Sequence, residues 1–410
     1  MIGHDMGKKK ILVLNDGASY ENWGIKACID GLNNIFQNTF EDFEIIGRSH
    51  SYMHKKYSCE PRLLSKKIFN DHSRVAKKLF DEFHFLPRIS DEFEYVAELW
   101  ASGRGGKGAE DFICAVRDVD IVIFNGEGST YRDNIGAIKG LFMLWYAKMK
   151  MNKMTYFLNG SVTLTSVDSI LPAMVRRVFS VIDGIAVREP YSYKSVMNFY
   201  SELSSIRVIP DSVLSLNLGK SKENKLIDNL EFIEKSFFCF SLSMLPMDFR
   251  KTRERSSIVN LICELKKIVP NAVLLAKDIE DQVLRDVAKL TDSYFVGPEF
   301  SYQDISYILS KSRFLLSGRY HHLIFAAKVG CPVIPMASSS HKIHGLSALY
   351  ENVMPAPVDP TDLWNETEKI LKRAIDITSN DSLRAAYIES SEGLMNNVFE
   401  GASDMFKDFK

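Results

Sequence analysis

The chain has almost no net charge, with 51 Lys and Arg against 52 Asp and Glu in 410 residues, a formal charge of -1 at pH 7. Such a balance gives no long-range field for gathering nucleic acid or an anionic membrane, so neither is an expected partner and any anion site has to be built locally. Cysteine is sparse as well. Its six positions, Cys28, Cys59, Cys114, Cys239, Cys263 and Cys331, are scattered, mostly in apolar segments, and form no C-x-x-C pair. They read as buried, reduced thiols of a cytoplasmic protein. No run reaches the ~18 apolar residues that a membrane span needs. Behind the basic run Lys8–Lys10 stand only four apolar residues, Ile11–Leu14, too few for the hydrophobic stretch of a secretion signal. Short-period repeats are also lacking.

What the chain does have is ordinary globular composition, 46% hydrophobic and 25% charged, at a length that fits two domains of roughly 200 residues each. Apolar runs of strand length alternate with helical periodicity. In the first half, strands are expected at Ile11–Leu14, Phe43–Gly47, Asp120–Asn125, Met154–Leu158, Gly184–Val187 and Ile206–Ile209; in the second, at Phe237–Leu242, Val273–Ala276 and Tyr294–Val296, then on either side of a helix within Phe314–Pro335. The polar, lysine-rich stretch Leu218–Lys225 reads as a linker. The expected domains are therefore 1–218, interrupted by an insertion at about 50–110, and 219–410, ending in helices after Pro360 that could cross back over the cleft. Within the insertion, Ser102–Gly108 (SGRGGKG) lacks the spacing of a phosphate loop and follows no strand, so a flexible connection is expected. The fold class is α/β: two Rossmann-like, doubly wound domains facing a cleft, the arrangement called GT-B in glycosyltransferases.

In such sheets ligands sit beyond the carboxyl ends of the strands. Arg319 and His321 follow one strand and open a helix, where free N–H groups favour anions. Arg188 follows Gly184–Val187 and Asp211 follows Ile206–Ile209, although an ion pair and a turn cap are the structural alternatives for these two. Glu127 sits in the turn after Asp120–Asn125, where it would repel a phosphate and suits an acceptor better. Trp23, at the first strand-to-helix loop, offers a ring for a sugar to stack on, or an apolar contact at the helix start. His322 reads as packing or capping. His341 and His344 stand three apart, but no acid clusters beside them, and no metal is expected.

These motifs, taken in order, resemble those of the polysaccharide pyruvyl transferase family. Asn22-Trp23-Gly24-Ile25 stands where the family has Asn-x-Gly-Asp, and Gly126-Glu127-Gly128 where it has a glycine triplet. Arg188, Glu189 and Ser192 match an Arg-acid-x-x-Ser element, and Pro210 and Asp211 a Pro-Asp pair. Arg319 and His321 match Arg-x-His, with Ala326, Gly330 and Pro332 behind them, and Lys342, Gly345 and Leu346 a closing Lys-x-x-Gly-Leu. The departures are Ile25 and Glu127.

The resemblance implies transfer of a pyruvyl group from phosphoenolpyruvate to two hydroxyls of a cell-surface polysaccharide or its lipid-linked precursor, giving a ketal and phosphate. Beyond that donor substrate it implies no cofactor, and an acceptor of this kind would bring the protein to the inner face of a membrane. It casts Arg319, Arg188, Lys342 and Ser192 as donor-binding, His321 and Asp211 as catalytic, and Glu127, Asn22 and Trp23 as acceptor-binding. A nucleotide-sugar glycosyltransferase and an inactive glycan-binding relative are the competing readings.

Overall fold

The computed structural model describes residues 8–16, 22–46, 83–128, 130–131, 135–165, 170–203, 205–218, 230–243, 252–277 and 279–409. Most of the expected linker, and the whole stretch 50–82, lies outside these.

The first sheet consists of β1 (Lys9–Leu14), β2 (Phe43–Ile45), β3 (Ile121–Asn125), β4 (Met154–Gly160), β5 (Gly184–Val187) and β6 (Ile206–Val208), in the order β2-β1-β3-β4-β5-β6. All its pairings are parallel. Its helices are α1 (Trp23–Thr39), α2 (Phe93–Ala101), α3 (Lys107–Arg117), α4 (Ile135–Met149), α5 (Ile170–Phe179) and α6 (Pro190–Phe199). The central strand β3 is buried at all five positions, which is why its sequence is a continuous apolar run rather than an alternating one.

The second sheet, also parallel, contains β7 (Phe237–Ser243), β8 (Asn271–Leu275), β9 (Tyr294–Val296), β10 (Leu315–Gly318) and β11 (Val333–Pro335), in the order β11-β10-β7-β8-β9. Its helices are α7 (Thr252–Lys266), α8 (Val283–Leu290), α9 (Tyr302–Lys311), α10 (Tyr320–Lys328) and α11 (Lys342–Leu349), followed by α12 (Leu363–Thr378) and α13 (Ser382–Met405). Ser301 and Asp304 close a full capping box at the start of α9, as their spacing predicts. The strand order reverses between β1 and β3 in one sheet and between β7 and β10 in the other. These are the switch points where such sheets open a crevice.

The insertion reading needs correcting from Phe83 onward. Phe83, Phe93 and Phe112 are fully buried and Trp100 is 1% exposed, so this stretch forms part of the first domain's core. The signal is present in the sequence: Phe93, Val96, Ala97 and Trp100 recur at helical spacing, as do Ala109, Phe112 and Val116. The glycine-rich stretch between is a short turn joining α2 to α3. A Cβ on Gly105 would stand 2.6 Å from both Trp100 and Ala109, so the glycine allows the two helices to close.

Two contacts lock the domains together. On one side Trp23 Nε1 donates to the Phe300 carbonyl at 2.7 Å, Tyr302 Oη donates to Asp30 at 2.6 Å and Lys328 Nζ reaches the Leu214 carbonyl at 2.6 Å. On the other, α6 meets α11: His341 Nε2 lies 3.1 Å from Ser192 Oγ and 3.2 Å from Glu189. The last helix then ties the second domain back to the first. Near its start the Tyr387 hydroxyl meets the Val333 N–H of β11 at 3.4 Å. Just past its end Phe406 packs on Tyr156 of β4 at 4.6 Å and on Phe40 at 5.3 Å.

Phe406 is fully buried, and Phe406→Ala is expected to cost about 3–5 kcal/mol of unfolding free energy. Denaturant titration checks this; a loss below about 1 kcal/mol would mean that α13 is only loosely attached.

Candidate active site

The carboxyl-end loops of both sheets converge between the two interdomain contacts. After β5 the backbone runs through Arg188 straight into α6. Glu189 caps that helix, accepting from Tyr191 and Ser192 N–H at 2.8 and 3.0 Å, with Pro190 at its first position. The cap fixes the place where Arg188 leaves the sheet.

The Arg188 side chain is 1% exposed. Its Nη1 donates to Asp211 Oδ2 at 2.8 Å and its Nε to Ser161 Oγ at 2.8 Å. Its plane lies 4.1 Å from the centre of the Tyr320 ring, contributed by the other domain. Asp211 is fully buried and also accepts from Val213 N–H at 3.0 Å. Burial alone would raise its pKa, but the nearby His321 imidazole and the charge of Arg188 outweigh this and bring it down to about 2. The stability this carboxylate contributes is therefore present above the ordinary carboxylate pKa and is lost as pH falls through about 2.

His321 sits opposite this pair. Its Nε2 lies 3.7 Å from Asp211 Oδ2 and 3.2 Å from Cys28 Sγ, and its side chain is 12% exposed. Gly24 makes room for it: a Cβ there would stand 2.1 Å from His321 Nδ1. The glycine at the start of α1 is thus required by close approach of the imidazole. Asn22 caps the same helix, accepting from Gly24 and Ile25 N–H at 3.0 and 3.4 Å.

Lys342 opens α11 on the rim of the cluster. Burial and the charge of Arg188 lower its pKa to about 8, against the opposing pull of Glu127. Glu127 also bears electrostatically on Arg188 and Cys28, so the cluster holds both signs of charge. Asn15 and Asn159, with φ of 60° and 58°, turn the chain at the ends of β1 and β4, a left-handed conformation that asparagine tolerates. They bind the neighbouring loops: Asn15 Nδ2 donates to the Asn125 carbonyl at 2.8 Å and Asn159 Oδ1 accepts from Ser212 N–H at 2.9 Å. The Tyr320 hydroxyl is buried without a hydrogen-bond partner among the described residues.

The structure therefore brings together Arg188, Asp211, His321, Lys342 and Glu127. Other residues picked from the sequence sit differently. Arg319 is 6% exposed and pairs with buried Asp281, a partner that eases a cation at a helix start. Each arginine, expected from the resemblance to bind the donor, already holds a carboxylate. Ser192 is fully buried; its Oγ donates to Glu189 and accepts from Val162 N–H at 2.8 Å, placing it in the contact with His341. Trp23 is 1% exposed and packs 5.3 Å from the His322 ring. Neither of its faces is open to a sugar, so the packing alternative describes it.

His322 stays neutral, its pKa lowered by burial and by Arg319, and bonds Ser241 Oγ at 2.9 Å. Sequence reasoning passed over Cys28, Asn159, Ser161, Asp281 and Tyr320. For Tyr320 the signal was its place between Arg319 and His321; for Cys28 it was its position one turn after Gly24.

Gly24→Ala is expected to displace His321 and lower turnover by about tenfold or more, with little change in thermal stability. Unchanged turnover would show that the imidazole has room to spare.

Comparison with known proteins comes from two directions. The sequence profile of the polysaccharide pyruvyl transferase family matches residues 27–340. The Asn22–Ile25 and Lys342–Leu346 elements lie just outside that span. No curated protein matches the sequence. Among solved structures, Anabaena HepE, seen in complex with UDP, superposes with a TM-score of 0.55 at 11% identity, covering 98% of this chain and 100% of its own. The Neisseria meningitidis UDP-GlcNAc 2-epimerase, bound to UDP-GlcNAc, gives 0.53 at 10% identity, covering 96% and 100%. A Listeria monocytogenes protein described as a UDP-N-acetylglucosamine 2-epimerase gives 0.57 at 11%, covering 98% of both chains. At these identities the likeness is one of fold, and it makes the architecture GT-B-like.

Proposed function

The chain belongs to the polysaccharide pyruvyl transferase family, and from that premise we propose that its interdomain cleft transfers a pyruvyl group from phosphoenolpyruvate to two hydroxyls of a glycan or glycan precursor. The observation that carries this reading is His321 of one domain facing the Arg188–Asp211 pair of the other, with 12% of its side chain exposed. This places one titratable group between two carboxyl-end loops, where a donor on one domain would meet an acceptor on the other. No helix among the described residues is long and apolar enough to cross a membrane. A lipid-linked acceptor would on this reading be met at the membrane surface.

The reaction makes three demands. The first is to hold a carboxylate and a phosphate close together. Lys342 supplies a cation, and the start of α10, where the Arg319 side chain makes no capping bond, supplies N–H groups. The Tyr320 hydroxyl is a buried donor in need of an acceptor. The second demand is to move protons: one hydroxyl oxygen of the acceptor bonds to the C2 centre and gives up its proton as the methylene carbon gains one. His321 can do both, since an imidazole both accepts and donates protons. Asp211, held ionised, orients the ring and stabilises its charged form. In the third step the phosphate leaves with the C2–O bond electrons, and the second hydroxyl closes the ketal, losing its own proton. Glu127, at the rim beside Lys342, suits the acceptor side.

Purified protein given phosphoenolpyruvate and a panel of saccharides is expected to release phosphate and form a ketal with a new methyl signal in the proton NMR spectrum. His321→Ala should reduce the rate about 10²-fold or more while the protein stays folded. Turnover with a nucleotide sugar and none with phosphoenolpyruvate would establish the glycosyltransferase reading instead.

Lys342 provides a second test. In the free protein its charge is present below about 8 and lost above it, so the apparent affinity for phosphoenolpyruvate should fall as pH rises through that value. Lys342→Arg should flatten the profile, because a guanidinium stays charged. The same fall in both proteins would remove Lys342 from the donor site.

A further inference from the structure

Cys28, Asp211 and His321 form a set with a geometry of its own. Among the described residues they make the one group of three such side chains whose ligand atoms all lie within 4.8 Å of one another. His341 and His344, the pair weighed from sequence, do not join it. The three come from α1, the loop after β6 and the start of α10, so tertiary structure alone unites them. Cys28 Sγ is 3.2 Å from His321 Nε2 and 3.8 Å from Asp211 Oδ1, and His321 Nε2 is 3.7 Å from Asp211 Oδ2. A tetrahedral zinc ion bound at ordinary Zn–S, Zn–N and Zn–O lengths separates its ligand atoms by roughly 3.4–3.6 Å. The sulfur–nitrogen separation falls a few tenths of an ångström short of that range, and one Asp211 oxygen lies within 4.8 Å of both other ligand atoms.

We propose that Cys28, His321 and Asp211 form a binding site for a thiophilic divalent metal ion, zinc being the natural occupant, and that occupancy switches the acid–base function of His321 off. A thiolate, an imidazole and a carboxylate are zinc's ligand types, whereas magnesium and calcium take oxygen. Three protein ligands leave a fourth position for water or substrate. The carboxylate is held in the manner of a metal ligand. Arg188 fixes Asp211 Oδ2 and Val213 N–H fixes Oδ1, leaving a lone pair on each oxygen. Burial and the charge of Asp211 keep the metal-free Cys28 thiol protonated. Metal entry therefore has to displace its proton to solvent, forming the metal–sulfur bond as the S–H bond breaks.

The consequence for catalysis rests on the pyruvyl-transfer reading; the binding does not. Nε2 cannot hold a metal and exchange a proton with substrate at once, so the metal-loaded protein would be the inactive form.

The dialysed full-length protein is titrated with cobalt(II), followed by displacement with zinc. The expected result is one equivalent bound, with a thiolate-to-cobalt charge-transfer band in the near ultraviolet that zinc abolishes. Cys28→Ser, nearly isosteric and checked by thermal unfolding, should lose that band. Calorimetry in buffers of different ionisation heat should show about one proton released per zinc. No saturable band, or a band that survives in Cys28→Ser, would overturn the site. In the activity arm, one equivalent of zinc should inhibit phosphate release and a chelator should restore it. Binding without inhibition would overturn the switch alone, whereas binding by a protein that never turns over phosphoenolpyruvate would leave the site standing and count against the reading of the reaction.

Discussion

Arg188 and Asp211 sit in the first domain with 1% and 0% of their side-chain surface exposed, 2.8 Å apart. Removing two charges from water in this way costs several kcal/mol per ion unless their geometry and remaining hydrogen bonds repay it. The surroundings are organised around that repayment. Ser161 takes the second guanidinium N–H, Val213 donates to the second carboxylate oxygen, and Tyr320 covers the guanidinium plane from the other domain. The pair's hydrogen bonds come from the first domain and the cover over its guanidinium from the second, which couples the interdomain arrangement to the site chemistry. It also decides what His321 is: an imidazole facing a carboxylate that stays ionised down to about pH 2.

Close approach supports the same arrangement elsewhere. Gly24 lets the His321 ring lie on the start of α1, and a Cβ on Gly345 would stand 2.0 Å from Glu189, the residue that caps α6 behind Arg188. Each glycine is needed because a side chain from the other domain occupies the space. With Trp23 bonded to Phe300 and His341 set against Ser192, the two domains meet on both sides of the cluster. The site is therefore a seam between the two domains that holds charges of both signs.

Much of the fold was legible in the chain because buried parallel strands announce themselves as apolar runs: Ile121–Asn125 and Gly184–Val187 could be read nearly residue for residue. Arg319 and His321 stood out for a local reason, a strand end meeting a helix start. What stayed hidden was tertiary. Nothing near Arg319 in sequence points to Asp281, and nothing near Cys28 points to His321, 293 residues away. Trp23, in a strand-to-helix loop, could be read as a sugar platform or as a packing contact, and the second domain takes up its surface. The helices Phe93–Ala101 and Lys107–Arg117 carried the right periodicity, obscured by the charged residues on their outer faces.

The claim that joins these points is that one compact dianion is held between the domains beside His321. A crystal structure with phosphoenolpyruvate bound tests it most directly. The account predicts the ligand in the seam, its anionic groups at Lys342 and the first turn of α10, and its methylene carbon within reach of the His321 ring. Phosphoenolpyruvate bound elsewhere, or a nucleotide sugar filling this seam with its diphosphate on the same groups, would contradict it.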